Sequence, residues 1–238
     1  MSTKYSFFIF LFTVLVFIGC SKDDGNSVDP GSNDSAPALQ AKQAEIPQGL
    51  VNEATKSNGN PYAQQAYGYL NLINGITSYA AQLVPPQSKA SLAKTAGGPW
   101  VYNWAANGIS LTLTITETSD SYTWSYVLNG VQDGVTYTNY QYLYAEQKKD
   151  GSSGSLAVYD TDGTAQSSWN WTQSSSGTIT MTMLVSDIKY VIVSNSDGSG
   201  TADYYYSGTL YYNISWTSTG SGSATDYTTS PATTSSWS

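Results

Sequence analysis

From Trp100 onward the sequence repeats with a period of two, and no other feature constrains the fold as much. Ile109, Leu111, Leu113 and Ile115 alternate with Ser110, Thr112, Thr114 and Thr116. Tyr122, Trp124, Tyr126 and Leu128 alternate with Thr123, Ser125 and Val127. Ile179, Met181, Met183 and Val185 keep the same rule, as do Leu210, Tyr212, Ile214 and Trp216. Successive strand side chains point to opposite faces, so this pattern predicts strands with one buried and one wet face. Turn pairs such as Asn107-Gly108, Asn129-Gly130, Asp133-Gly134, Asp150-Gly151, Asp162-Gly163 and Asp197-Gly198 separate the runs. Such pairs favour hairpins because tight hairpin turns need positive φ. Spacing them by about a dozen residues makes sequential strands pair as a meander.

The predicted fold class is therefore mainly β: an antiparallel meander of about ten strands between Trp100 and Thr217, forming a curved sheet or a barrel. The apolar phase changes between Tyr137 and Tyr140, which predicts a bulge there. One or two helices should precede the sheet. Pro47 breaks a helical pattern over residues 39–57. Asn60 is a suitable N-cap, and Pro61 stands where a missing N–H costs nothing. Tyr62, Ala66, Tyr69, Ile73, Ile76, Ala80 and Leu83 then form a helical stripe predicted to pack on the sheet. Helix followed by meander is similar in order to the half-barrel lipoprotein carriers and the lipocalin-like barrels.

The first residues carry a different signal. Lys4 precedes an apolar run from Phe7 to Ile18 that closes on Gly19-Cys20. A basic start, an apolar core and a small residue before the cut make a secretory signal peptide, and the run is too short for a typical membrane-spanning helix. Cys20 is the only cysteine, so it has no disulfide partner within the chain. Phe17-Ile18-Gly19-Cys20 resembles the lipobox of bacterial lipoproteins, which implies cleavage before Cys20 and lipid on its sulfur. Several acyl chains give the stable anchoring that one does not. Ser21-Lys22-Asp23-Asp24 resembles the surface-export signal of Bacteroidota lipoproteins, and the body is similar to uncharacterised surface lipoproteins of that group. The resemblance implies a lipid-anchored protein of the bacterial outer membrane, facing the cell exterior.

The expected organisation is a cleaved signal peptide (1–19), a lipidated Cys20 with a flexible tether (20–38), a helical segment and linker (39–98), the antiparallel β domain (99–218) and a disordered Ser/Thr-rich tail (219–238). Trp237 is the one exception in that tail.

Composition narrows the chemistry. Nine basic residues face seventeen acidic ones, a formal net charge of −8, which argues against a nucleic-acid partner. The chain has no histidine, which removes Ser-His-Asp and Cys-His catalysis and histidine-ligated zinc. Carboxylate-pair hydrolysis survives on paper, with Glu117, Asp120 and Glu146 the least turn-like acids. No enzyme, cofactor or metal is expected. Asp160–Gly163 and Asn195–Asp203 superficially suggest calcium loops but read as hairpin turns.

The 20 Tyr and 7 Trp are the more informative excess. Most must fill a sheet core. Consecutive aromatics such as Tyr204-Tyr205-Tyr206 cannot all face inward, so some are expected at a surface or cavity. Trp124, Trp169, Trp171, Tyr205 and Trp216 are the candidate ligand-binding residues, for a glycan or a small apolar ligand. The alternative is a structural or adhesive envelope protein with no small-molecule ligand.

Overall fold

The computed structural model describes residues 36–82, 91–94 and 98–238. The signal peptide, Cys20 and most of the tether lie outside the described residues. Among the described residues, two helices, α1 (Gln48–Thr55) and α2 (Pro61–Gln82), precede thirteen strands. These are β1 (Ser91–Lys94), β2 (Trp100–Ala106), β3 (Ile109–Glu117), β4 (Ser121–Gln132), β5 (Val135–Lys148), β6 (Ser153–Tyr159) and β7 (Ala165–Gln173). They continue as β8 (Ile179–Val185), β9 (Ile188–Ser194), β10 (Gly200–Tyr206), β11 (Thr209–Trp216), β12 (Gly222–Asp226) and β13 (Thr233–Trp237). All pair antiparallel with their sequence neighbours in one curved sheet, and β1 and β13 are its two edges, so the sheet is open rather than a closed barrel.

The alternation sets which face is covered. Rows of side chains run across the strands through registered pairs: Ala145↔Leu156, Leu156↔Trp169, Trp169↔Met183 and Met183↔Tyr190 make one such row. Tyr204 and Tyr212 extend it onto β10 and β11. Leu113, Leu143, Met181, Ile192 and Ile214 are fully buried on this inner face. The expected bulge is present: Thr138 and Asn139 of β5 together oppose Asn129 of β4, whose Oδ1 accepts the Asn139 N–H at 2.7 Å. A second irregularity lets the consecutive Tyr142 and Leu143 both be buried.

One expectation is corrected. Residues 219–238 are not a disordered tail but form β12 and β13, and Trp237 is their anchor. Its indole lies over Gly222, where an added Cβ would fall 2.3 Å from the ring, and its Nε1 donates to Gly220 O at 2.7 Å. The same device precedes it. Trp216 lies over Gly200 and donates to Gly198 O at 3.0 Å, and Trp171 lies over Gly154. Each pair is a cross-strand register pair. A glycine that leaves room for an indole, with the tryptophan on the next strand, thus recurs in three hairpins and holds polar Ser/Thr-rich sequence in the sheet. The predicted helical stripe packs on the core and is wider than expected, taking in Ala63 and Leu70. Asn60 caps α2 as expected, accepting from Tyr62 N at 2.9 Å. The fully buried positions are Ala63, Ala66, Leu70 and Ile73, with Tyr62, Tyr69 and Ile76 only partly buried beside them. Ala80 and Leu83 lie outside the described side chains.

The segment from Ala36 to Pro47 closes one rim of the sheet. Pro37 O accepts from Trp124 Nε1 at 3.2 Å, and Gln40 N donates to Gln147 Oε1 at 2.7 Å. Lys42 then lies beside Gly151, and Glu45 beside Gly198. At the far end Gly49 meets the β11–β12 turn so closely that an added Cβ would stand 1.8 Å from Thr219 O. From there α2 returns across the inner face. Tyr62 Oη donates to Asp226 at the end of β12, and Tyr69 packs on Tyr190 and Tyr204. Asn74 ties the helix to the rim segment by a two-way amide pair: its Nδ2 donates to Ala44 O at 2.9 Å and its Oδ1 accepts from Ala44 N at 2.8 Å.

Candidate functional site: an apolar cavity under the second helix

Where α2 leaves the sheet toward its C-terminal half, helix and inner face enclose a cavity of about 630 Å³. Asn71, Leu72, Gly75 and Ile76 form the helix side. Trp169 and Met183 form part of the floor, with Leu156, Val158, Tyr140 and Tyr142 toward β5 and β6, and Tyr190 toward β9. Tyr159, Val185 and Ile188 bring the cavity to the rim opposite the one that Ala36–Pro47 closes, because they are the last or first residues of their strands there. The volume lies within the usual range for small-molecule sites. No charged side chain lines it, and its polar members are uncharged: Asn71, Gln166, Ser167, Ser168 and the tyrosine hydroxyls.

Burial fixes the electrostatics of the walls. The Tyr140 hydroxyl donates to Tyr159 O, and burial first, then the charges of Asp160 and Asp162, push its phenol from the usual 10.0 to about 12. Tyr190 is raised by burial and by Tyr204, and Tyr69 beside it is raised strongly for the same reason. All three are neutral near pH 7, so the site presents hydroxyls rather than phenolates. Trp169 is 1% exposed, and its Nε1 has no hydrogen-bond partner among the described residues. A buried N–H without a partner is uncommon and costly.

Of the five aromatic candidates, the cavity wall includes Trp169 alone. Trp171 stacks on it, with ring centroids 4.5 Å apart, but sits one row nearer the closed rim over Gly154. Trp124 is committed to Pro37 O, and Trp216 to Gly198 O. Tyr205 faces outward, where Lys189 Nζ stands 4.0 Å from its ring centroid. Sequence reasoning favoured tryptophan and missed the aliphatic and helix residues of the wall. Met183 and Val185 had been read as inward-facing, but no sequence signal distinguishes a residue under a gap from one under a packed helix. Glu117, Asp120 and Glu146 do not line the cavity; Glu117 pairs with Lys149 at 2.8 Å near the closed rim. Asp162 and Asp197 accept the backbone N–H two residues on, at 2.8 and 2.9 Å, as hairpin turns require.

No family model matches the chain, and no curated protein matches it in sequence. Among the described residues, no helix is long and apolar enough to cross a membrane, and no three acidic, histidine or cysteine side chains gather as metal ligands.

Proposed function

We propose that the protein is a non-catalytic, lipid-anchored protein of the outer membrane surface that binds a small apolar ligand in the cavity under α2. The single observation that carries the ligand reading is the uncharged, largely aliphatic and aromatic wall of that cavity. A glycan site needs a dense set of hydrogen-bonding groups, whereas here Leu72, Ile76, Leu156, Val158, Met183, Val185 and Ile188 dominate. A sheet packed solid beneath its helix would have supported the structural or adhesive alternative; an apolar space of this size supports the binding one. The lipobox-like Phe17-Ile18-Gly19-Cys20 and the run Ser21-Lys22-Asp23-Asp24 are what supports anchorage and address.

Gly75 makes the reading testable without dismantling the fold. It lines the cavity, and a Cβ there meets nothing within 4 Å. Gly75→Leu should fill the space while favouring the helix by up to about 1 kcal/mol. Thermal unfolding with decyl maltoside, a fatty alcohol and a panel of oligosaccharides is the measurement. The apolar compounds should raise the midpoint of the parent chain and not that of Gly75→Leu. Stabilisation by oligosaccharides alone, or by none of the compounds, sinks the proposal.

A further inference from the structure

We infer that the edge strand β13 pairs with its own copy, joining two molecules into a dimer whose sheets run on across a two-fold axis at Ser235. This edge lies four strands beyond β9, the last strand that lines the cavity, and its pairing does not depend on a ligand there. Among the described residues β13 pairs with β12 alone. Which of its backbone groups face outward follows from the neighbouring ladder. Tyr227 N donates to Tyr211 O at 2.9 Å and Thr217 N to Ser221 O at 2.8 Å, one at each end of the β11–β12 register. Antiparallel hydrogen bonds alternate along a strand, so Ser223 and Thr225 turn toward β11, and Gly222, Ala224 and Asp226 toward β13. Their partners Trp237, Ser235 and Thr233 therefore direct their N–H and C=O groups onto β12. Thr234 and Ser236, both exposed, direct theirs away from the sheet, and among the described residues no hydrogen bond reaches them.

That pattern is self-complementary. With two copies antiparallel about Ser235, Thr234 of each faces Ser236 of the other, and each of these pairs exchanges two N–H···O=C bonds. Every outward backbone group of Thr234 and Ser236 is then satisfied. Small hydroxyl side chains already join neighbouring strands on the outer face, Thr225 with Thr234 at 3.3 Å and Ser215 with Ser223 at 3.1 Å. Thr234 beside Ser236 of the copy continues that ladder. Charge favours a second copy at this place and no other. The chain carries −8 overall, which makes copies repel, yet no side chain from Thr228 to Ser238 is charged, so no like charges oppose each other across the edge. The opposite edge is blunted: β1 has four residues and ends on Lys94, whereas β13 holds neither lysine nor proline. Asn60 Nδ2 donates to Ser235 Oγ at 3.3 Å, so the start of α2 stands beside the axis and its copy comes next to it, adding contact beyond the strands.

Disulfide trapping and sedimentation decide the matter, on the chain from residue 20 onward with Cys20→Ser, which leaves no other cysteine. Ser235→Cys places a thiol on the axis, where a non-hydrogen-bonded antiparallel pair brings its two Cα atoms within disulfide reach. Thr233→Cys puts a more exposed thiol two residues away, out of reach of its copy. Air oxidation should link Ser235→Cys into a dimer and leave Thr233→Cys monomeric. In sedimentation the average mass of the parent should rise with concentration toward twice that of the monomer. Thr234→Pro removes an outward N–H that β12 does not use, a place where an edge strand tolerates proline. It should stay monomeric with an unchanged thermal midpoint, and Ser236→Lys should do the same by charge. A dimer that persists in both variants, or linking at Thr233→Cys as readily as at Ser235→Cys, overturns the inference. A parent that stays monomeric at every concentration also overturns it. Dimerisation only of a chain that begins at Ala36 would assign the edge to residues 20–35 instead.

Discussion

The two rims of the sheet are built from the same kind of hairpin and differ in nearly everything else. At the closed rim, the segment Ala36–Pro47 runs over the turns and Gly49 presses against Thr219. Trp216 and Trp237 turn their indole N–H groups onto the carbonyls of Gly198 and Gly220 in those same turns. At the open rim the turns carry Asp133, Asp160, Asp162 and Asp187, and Val131, Val135, Leu184, Tyr206 and Tyr227 are exposed at or beside them. Closure at one rim requires small residues that admit another backbone and indoles that satisfy carbonyls. The other rim is free of that demand and is where the cavity emerges. Stability is thus concentrated at one rim and the mouth of the cavity lies at the other.

The comparison breaks most directly at a closed-rim tryptophan. Trp216→Ala removes a 3% exposed indole and its bond to Gly198 O, and should cost about 3–5 kcal/mol in urea unfolding. Leu184→Ser at the open rim should shift stability by no more than about 0.5 kcal/mol. Equal losses at the two sites would end the idea of a stabilising rim and a functional one.

A smaller effect is expected at the seam. Gly49→Ala forces a Cβ into Thr219 O and should cost about 1–3 kcal/mol. Hydrogen exchange should speed up in residues 36–50 and leave β6–β9 protected; unchanged protection over 36–50 would mean that the close approach does not hold the segment down.

Asn74→Ala tests the tie between the rims, because it deletes both bonds from α2 to Ala44. The site is partly buried, so a loss of about 1–2 kcal/mol is expected, with looser ligand binding since α2 roofs the cavity. Ligand affinity unchanged alongside that loss would show that the roof does not depend on the closed rim.

The last effect is silent at neutral pH. Tyr140 keeps its proton in the folded chain to about 12, whereas the unfolded phenol loses it from about 10. The unfolded state therefore binds fewer protons over that interval, and stability must fall as pH rises through it. Tyr69 and Tyr190 add in the same direction. Tyr140→Phe should flatten the decline measured by unfolding between pH 10 and 12; an identical slope would place the sensitivity elsewhere.

Much of this fold was legible in the sequence because its determinants are local. Ile109–Glu117 and Ile179–Val185 form strands where their alternation predicts them, and the bulge in β5 lies where the apolar phase changes. Asn60 and Pro61 start α2 through contacts within a single turn. The last two strands were not legible. Gly222–Asp226 and Thr233–Trp237 are mostly small and polar and read as a tail; they are strands because Trp237 finds Gly222 and Gly220 O across a hairpin. The candidate site divides in the same way. Aromatic excess pointed to a cavity somewhere, yet of the five candidates Trp124, Trp171 and Trp216 are spent on the rim and the core and Tyr205 faces outward, so that Trp169 alone of them is at the wall, beside tyrosines that were not singled out.

What the sequence determined by itself was periodicity and punctuation: where most of the strands and turns between Trp100 and Trp216 lie, which face of the alternating strands is inward, and that no histidine chemistry is possible. These follow from backbone geometry and side-chain type over a few residues. Only the tertiary structure decided that the sheet stays open, that one rim is sealed by the segment before α1, and that α2 leaves a space over Trp169 and Met183. Those outcomes depend on pairs such as Asn74 with Ala44 and Gly49 with Thr219, separated by 30 residues or more. Whether such partners meet is set by the packing of the whole chain, which no local pattern encodes.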